Sequence, residues 1–463
     1  MNRLSRFVVI AAVLAAATLL WLPPATSLSP AALAVAATGI VMAALWMTEA
    51  LPLAATALLP LVIFPLLGVM PLDALGRSYA HPLIFLFLGG FMLAAAIERW
   101  GLHRRLALAV MRLAGKRPSG VLAAVMAATA FLSLWISNTA SAMVMAPIAA
   151  AIAAREGANS PFATALMLGV AYAATIGGMG SLIGTPPNAL FAAYMAESHG
   201  IEIGFADWLA VGLPVVAIML PAAWLLLGRA LYRLPDSFDA PPETALPPWT
   251  TGERLVAIVA GLTALAWITR PLTASLLPAI EISDGGIAMA AAVALFVLPA
   301  GRGSRRRLLD WPTAAGIRWD VLLLVGGGLA LASGIEQSGL ASWIGAQSSA
   351  LKYWPEFLVL LAIAATIVYL GELASNTAMA AIFLPVAGAM AIGTGADPLT
   401  FALPVALAAS IGFMLPVATP PNAIVFGNPA VGRVDMLRAG AILNPIGLVV
   451  ALAAGMIIGP LVF

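Results

Sequence analysis

The sequence predicts an all-α polytopic membrane protein, with about eleven transmembrane helices and two re-entrant hairpins. Three observations carry this reading. The 463 residues are 62% hydrophobic and 9% charged, with a mean hydropathy of +1.03. A soluble domain carries roughly 25% charged residues, so this chain has too few to cover a water-facing surface. Apolar runs of spanning length recur from end to end. Two polar motifs inside those runs each occur twice: Ser137-Asn138-Thr139-Ala140 returns as Ser375-Asn376-Thr377-Ala378, and Thr185-Pro186-Pro187-Asn188-Ala189 returns as Thr419-Pro420-Pro421-Asn422-Ala423.

Taken in order, Arg3 and Arg6 precede an apolar run to Leu22 that resembles a secretory leader. The spans that follow favour an uncleaved first helix, 7–22. Helix 2 is read over 31–48 and helix 3 over 53–70, with Glu49 and Pro52 between them; helix 4 covers 82–99. A basic amphipathic stretch follows, with Arg99, Arg104, Arg105, Arg112, Lys116 and Arg117. The apolar block 119–153 is broken by Ser137-Asn138-Thr139. Helix 5 starts at 161 and is interrupted by glycines and Thr185-Pro186-Pro187; helix 6 is 208–228. Residues 229–253 form the long polar linker. Helices 7 and 8 (254–269 and 285–300) lead to a basic loop with Arg302, Arg305, Arg306 and Arg307. Helix 9 (319–335), a second broken block (355–391), helix 10 interrupted at Thr419-Pro420-Pro421, and helix 11 (439–462) complete the chain.

The halves are an internal duplication. Gly89-Gly90 pairs with Gly327-Gly328 at an offset of 238, as do Glu98 with Glu336, Gly101-Leu102 with Gly339-Leu340, Ser137 with Ser375 and Pro147 with Pro385. Thr185 pairs with Thr419 at 234. If the N-terminus is cytoplasmic and each broken block returns to its own side, only Arg77, Arg270 and Lys352 of the 22 Lys and Arg fall outside. The two halves then face opposite ways, as in the inverted repeats of secondary transporters.

Backbone broken at membrane depth must be buried in protein or line a cavity. Prolines at the breaks should stop the preceding helices and free carbonyls that suit sodium. Helix N-termini after the breaks suit an anion. Asn offers a carbonyl oxygen to a cation and an amide to a carboxylate, and Ser and Thr hydroxyls serve either. The membrane centre carries no Lys or Arg, so a bound dianion needs co-bound cations as compensation. A single Ser-Asn-Thr in a membrane helix is packing glue; two copies in register argue for a transport site. Glu49, Glu98, Glu336 and Glu372 sit near helix or hairpin ends and are read as structural, with Glu372 the best exception. The absence of Cys and the three scattered His exclude thiol catalysis and an evident metal centre. Glycine runs at 177–180 and 326–328 lack the Lys of a phosphate loop and are read as close packing. No enzyme constellation, organic cofactor or nucleic-acid surface is indicated.

The two motif pairs, the run Ser410-Ile411-Gly412-Phe413-Met414-Leu415-Pro416-Val417-Ala418-Thr419-Pro420-Pro421-Asn422-Ala423-Ile424-Val425 and the stretch Trp46-Met47-Thr48-Glu49-Ala50-Leu51-Pro52 resemble the divalent anion/sodium symporter family. The resemblance covers nearly the whole chain. It implies a homodimer in the bacterial inner membrane, with the C-terminus outside, whose transport domains move as elevators against a scaffold. Scaffold helices would occupy 1–80 and 254–318, with 205–253 helix 6 and the cytoplasmic linker and 432–463 the last helix. The transport domain would occupy 81–204 (hairpin 119–155) and 319–431 (hairpin 355–391). By the family pattern one sodium site takes Ser133, Ser137, Asn138 and a carbonyl near Gly180. The second takes Asn376 and carbonyls near Gly371, Ala374 and Ala418. A small dicarboxylate of the succinate, malate and fumarate type would lie between Ser137-Asn138-Thr139 and Ser375-Asn376-Thr377, near Thr419 and Pro420. Gly371 stands where the sodium-coupled pattern has Thr, which leaves open a sodium-independent exchanger. An ion antiporter or oxyanion exporter of the wider superfamily is a more distant reading.

The orientation is open to labelling in this Cys-free chain. Cysteine introduced at Arg305 is expected to react with a membrane-impermeant maleimide only from the cytoplasmic side, which right-side-out and inverted vesicles distinguish.

Overall fold

The computed structural model describes residues 3–21, 28–112, 117–154, 156–157, 160–235, 248–276, 282–301 and 304–463. Lys116, residue 155 at the end of the first block, the linker residues 236–247 and Arg302 lie outside the described residues. Among the described residues every regular element is helical, and one isolated bridge joins Pro299 to Arg307.

Polar caps open several spans. Ser29, Ser160 and Asp397 each precede a proline and accept a hydrogen bond from a backbone N–H of the first turn, from Ala32 at 3.0 Å, Ala163 at 3.2 Å and Leu399 at 2.8 Å. Proline fits there because that N–H has no helical partner. Among the described residues eight helices are long and apolar enough to cross a membrane, from Pro30–Thr48 to Arg433–Val462. The expected third span is instead two short helices, Leu53–Ala57 and Leu59–Leu66, followed by Leu72–Tyr79. Pro60 lacks the N–H that would continue the first ladder, so the helix restarts with Pro60 in its first turn.

Each broken block forms two helices. The first is Pro118–Ser133 and Asn138–Ala153, the second Glu356–Gly371 and Asn376–Thr394. Three of the four arms have 16 residues and reach about 24 Å, short of the roughly 30 Å of hydrocarbon; the fourth, Asn376–Thr394, has 19 and is among the helices long enough to cross. The interrupted helices are Pro161–Met179 with Pro186–His199, and Pro398–Ala409 with Pro420–Phe426. The prolines do not stop the preceding helix, as sequence reasoning expected. That helix ends well before them, and Pro186 and Pro420 instead open the second segment.

The interrupted helices form the centre. All residues from Phe162 to Met179 are buried, whereas only six of the 26 residues of Thr251–Leu276 are. The halves exchange partners around this centre. Pro82–Arg99 packs on Asp284–Val297 of the other half, and its counterpart Trp319–Gln337 packs on Leu53–Ala57. At both crossings the backbones meet at a repeated glycine. A Cβ on Gly89 would lie 2.5 Å from the Ala288 carbonyl, and one on Gly327 would lie 2.3 Å from that of Ala57. Likewise Asn138–Ala153 packs on both Pro161–Met179 and Pro420–Phe426, while Asn376–Thr394 packs on Pro398–Ala409 and Pro186–His199.

Two short helices follow the repeated Gly-Leu landmarks: Leu102–Met111 after Gly101 (φ 71°) and Leu340–Ser348 after Gly339 (φ 83°). Both turns use the left-handed region that glycine enters freely. The first short helix is fixed by Arg105, buried in a bidentate pair with Glu253, and Arg99 pairs with Asp310 at 2.6 Å. Hydrogen bonds from Thr313 and Arg99 pull the Asp310 carboxyl down to about 2. Two arginines read as topology determinants therefore also tie helix ends together.

Alanine at Gly89 or Gly327 is expected to force the crossing helices apart and cost about 1–3 kcal/mol. Gly261→Ala meets nothing within 4 Å and is expected to be neutral or stabilising. Thermal unfolding in detergent compares the three.

Candidate transport site

Each Ser-Asn-Thr motif sits where a hairpin turns. Ser133 ends the first arm and is fully buried; Ser137 caps the second arm, its hydroxyl accepting from Ala140 N–H at 3.2 Å; Asn138 and Thr139 open that arm. The break of the first interrupted helix closes on this tip. Ser133 Oγ lies 2.6 Å from Asn138 Oδ1 and 2.7 Å from the Ala174 carbonyl oxygen. The carboxamide of Asn138 also faces the Gly184 carbonyl at 3.3 Å. A Cβ on Gly178 would fall 2.2 Å from Asn138 Oδ1, so glycine is what lets this amide approach. Ser133 and Asn138 thus meet as expected, with the carbonyls of Ala174 and Gly184 beside them. The Gly180 carbonyl packs against the Cα of Gly212.

One proton on Ser133 serves one acceptor. If it goes to Ala174, Asn138 Oδ1 faces only oxygens. Either the amide turns to donate to Ser133, Ala174 and Gly184, or a cation sits among these oxygens. The residues fit sodium, a hard cation that takes hydroxyl and carbonyl oxygens.

The second tip repeats the plan with other chemistry. Ser375 caps Asn376–Thr394, which begins with Asn376 and Thr377; Thr419 caps Pro420–Phe426, its hydroxyl accepting from Asn422 N–H at 3.3 Å. Gly371, Ala374 and Ala418 are buried around the turn. A Cβ on Gly371 would meet only Met379 Cγ, at 3.8 Å, so the pocket has room for the side chain this position lacks. Helix starts at Asn138 and Asn376 present free N–H groups suited to an anion. Pro186, Pro187, Pro420 and Pro421 lack N–H groups, so those starts offer fewer donors than the starts at Asn138 and Asn376.

Both breaks are laced by the last residue of the Thr-Pro-Pro-Asn motif. Asn188 Nδ2 donates to the carbonyls of Gly178 at 3.1 Å and Ser181 at 2.8 Å. Asn422 Nδ2 donates to Gly412 at 3.0 Å and Leu415 at 2.9 Å, the same steps back along the chain. The remaining partners differ. In the first half Trp208 donates to the Met179 carbonyl at 3.0 Å, and Ser181 Oγ to that of Leu134 at 2.5 Å. In the second half buried Glu372 accepts from the N–H groups of Met414 at 2.9 Å and Leu415 at 2.8 Å and from Asn444 Nδ2 at 2.7 Å. Asn444 Oδ1 accepts from Phe413 N–H at 3.1 Å, and the Tyr172 hydroxyl donates to the Phe413 carbonyl at 3.0 Å. The structural reading of Glu372 fits these contacts. Sequence reasoning missed Asn444, Tyr172 and Trp208, which reach the breaks from distant helices. The amides of Asn188 and Asn422 did carry a signal, since both stand in the repeated motif.

A buried, polar, interrupted core in a polytopic helical protein is the architecture of a membrane transporter. The chain belongs to the citrate transporter family, CitMHS, whose description matches residues 43–405. It is 39% identical over 424 residues to the "Sodium-dependent dicarboxylate transporter SdcS" of Staphylococcus saprophyticus, covering 88% of this chain and 82% of that protein. To the protein of the same name from Staphylococcus aureus (strain USA300) it is 38% identical over 436 residues, covering 90% and 84%. Two solved structures share the fold. The YdaH transporter of Alcanivorax borkumensis matches with TM-score 0.61 at 16% identity, over 83% of this chain and 86% of that one. MtrF of Neisseria gonorrhoeae, from a class of antimetabolite efflux pumps, matches with TM-score 0.54 at 11% identity, over 98% and 93%. The family resemblance read from the motifs agrees with these matches, and the protein is a transporter, not an enzyme.

Glu372→Gln turns an amide NH₂ toward N–H donors that the carboxylate satisfied. Leaving one such donor unpaired costs about 1–3 kcal/mol, so the melting temperature in detergent is expected to fall. Leu134→Ala, at the repeat-equivalent position, leaves the Leu134 carbonyl in place for Ser181 and is expected to cost less than the loss of that clamp.

Proposed function

We propose that the protein is a sodium-coupled secondary transporter that imports small di- or tricarboxylates of the succinate, malate and fumarate type. The observation that carries this reading is the buried polar cluster of the Ser133 hydroxyl, the Asn138 carboxamide and the Ala174 and Gly184 carbonyls, beside a helix start with free N–H groups. A cation and an anion then sit back to back, and each offsets the charge of the other where no Lys or Arg does. The names of the relatives, sodium-dependent dicarboxylate transporters, support it.

In this reading Ser137, Asn138, Thr139, Ser375, Asn376 and Thr377 grip the carboxylates near Thr419 and Pro420. Ser133, Ser137, Asn138 and a carbonyl near Gly180 hold one sodium ion; Asn376 with carbonyls near Gly371, Ala374 and Ala418 holds the other. The halves face opposite sides of the membrane, a reading supported by the placement of the arginines. The transport domain moves as an elevator within a homodimer, N-terminus in the cytoplasm and C-terminus outside, in the bacterial inner membrane. Gly371, which supplies no hydroxyl, favours one second reading, a sodium-independent dicarboxylate exchanger on the same fold.

Proteoliposomes decide between them. Labelled succinate is expected to accumulate only with an inward sodium gradient; equal uptake driven by internal succinate alone identifies the exchanger. Gly371→Ser fills the available space, and one added oxygen ligand worth about 1 kcal/mol is expected to lower the half-saturating sodium concentration roughly fivefold.

A further inference from the structure

Three of the four motif asparagines share a property beyond their positions. Asn188 and Asn422 are both fully buried, and their orientation is fixed, because each Nδ2 donates to two backbone carbonyls. That leaves Oδ1 of each without a hydrogen-bond partner. Asn376 Oδ1 is likewise buried without a partner; Asn138 differs, because its carboxamide, turned over, donates to Ser133, Ala174 and Gly184. A buried acceptor with no donor costs free energy, and one such atom could be a packing compromise. The same atom in the same state at both copies of a repeat requires a common cause. Ser141 and Thr175 near the first tip also lack partners, but their counterparts are Met379 and Ala409, so no such argument applies to them.

Donors do not explain these oxygens, and a cation does. The carbonyl of Gly178 accepts from Asn188, and the Cα of the same residue lies against Asn138. Asn188 therefore stands on the break at the residue that the first tip touches. Asn422 stands at the same place on the second break through Gly412. Sodium prefers neutral oxygens on semi-rigid backbone, and an amide whose nitrogen is already tied down is pre-organised to give its oxygen.

We propose that Asn188 and Asn422 are cation ligands, each supplying Oδ1 to one of the two sodium sites from the interrupted helix, opposite the asparagine of the hairpin tip. This rests on the sodium-coupled reading above. Each site is then a pair of asparagines: one from the hairpin, Asn138 or Asn376, and one from the break, Asn188 or Asn422. The break asparagine does two jobs, since its nitrogen shapes the loop and its oxygen meets the ion. The second site, short of a hydroxyl at Gly371, depends on Asn422 more heavily than the first depends on Asn188.

The test titrates the full-length protein with sodium chloride at constant ionic strength, choline replacing sodium. It reads sodium-dependent thermal stabilisation in detergent and the sodium dependence of succinate uptake in proteoliposomes. Asn188→Ala and Asn422→Ala remove both the oxygen and the nitrogen that laces the break; Asn188→Asp and Asn422→Asp lose the lacing nitrogen but keep an oxygen for the ion. Loss of one ligand is expected to raise the half-saturating sodium concentration about tenfold in each Ala variant, while the Asp variants saturate at the wild-type concentration or below. An Asp variant as impaired toward sodium as its Ala partner overturns the assignment, as does a folded Ala variant with wild-type sodium dependence. If an Ala variant does not fold, the Asp variant alone decides: retained sodium stabilisation supports the proposal and its loss overturns it. A wild-type protein that sodium does not stabilise overturns both the coupling and this proposal; a sodium-stabilised wild type with indifferent variants overturns this proposal alone.

Discussion

Backbone polarity in a lipid environment governs this molecule. An unpaired N–H or C=O in hydrocarbon costs several kcal/mol, and the chain interrupts its helices in four places. Each interruption survives because other groups take over the lost ladder. In both interrupted helices an asparagine ten residues downstream returns to bind the freed carbonyls. The helices that lead into these joints, Phe162–Met179 and Phe401–Ala409, are buried without a gap; the first joint is buried as well, whereas the second reaches the surface at Val417 and Pro420. Irregular backbone can therefore exist at depth, and only irregular backbone can turn carbonyls and amide N–H groups toward a small solute.

The two halves solve the same problem with different residues. The first break uses neutral partners, Trp208 and Ser181 with the Leu134 carbonyl. The second uses a carboxylate, with Glu372 and Asn444 gathering the N–H groups of Phe413, Met414 and Leu415. A carboxyl group beside the second tip, where the first has Leu134, makes the two tips chemically unequal, although their backbones follow the same plan.

The elements legible in the sequence were those with a local or repeated signature. Ser137-Asn138-Thr139 and its copy interrupted apolar runs, and a constant offset showed them to be equivalent. Their place at the hairpin turns followed. Three things were not legible. The split of 53–66 depended on Pro60 falling where one ladder ends and another begins, which the apolar run conceals. The Pro-Pro pairs looked like terminators because proline disrupts helices from within, yet proline at a first turn is favourable. Glu372 could be singled out as unusual but not assigned partners, because Met414, Leu415 and Asn444 lie 42 to 72 residues away. The pairing of Ser133 with the Ala174 carbonyl was hidden for the same reason: a backbone oxygen has no residue type to betray it.

The glycine crossings at Gly89 and Gly327 have a further meaning. Each lets a helix of one half nest against a helix of the other, at distances that leave no room for a methyl group. Neither half therefore closes its own packing, and each lends the other a wall. The chain is a covalently joined pair of interlocked partners, not a tandem of two modules. A half-length fragment would leave Gly89 or Gly327 facing an empty groove, complementary to its missing sibling. Co-expressed halves have a built-in means of finding each other, and a separated half has a built-in reason to associate with itself.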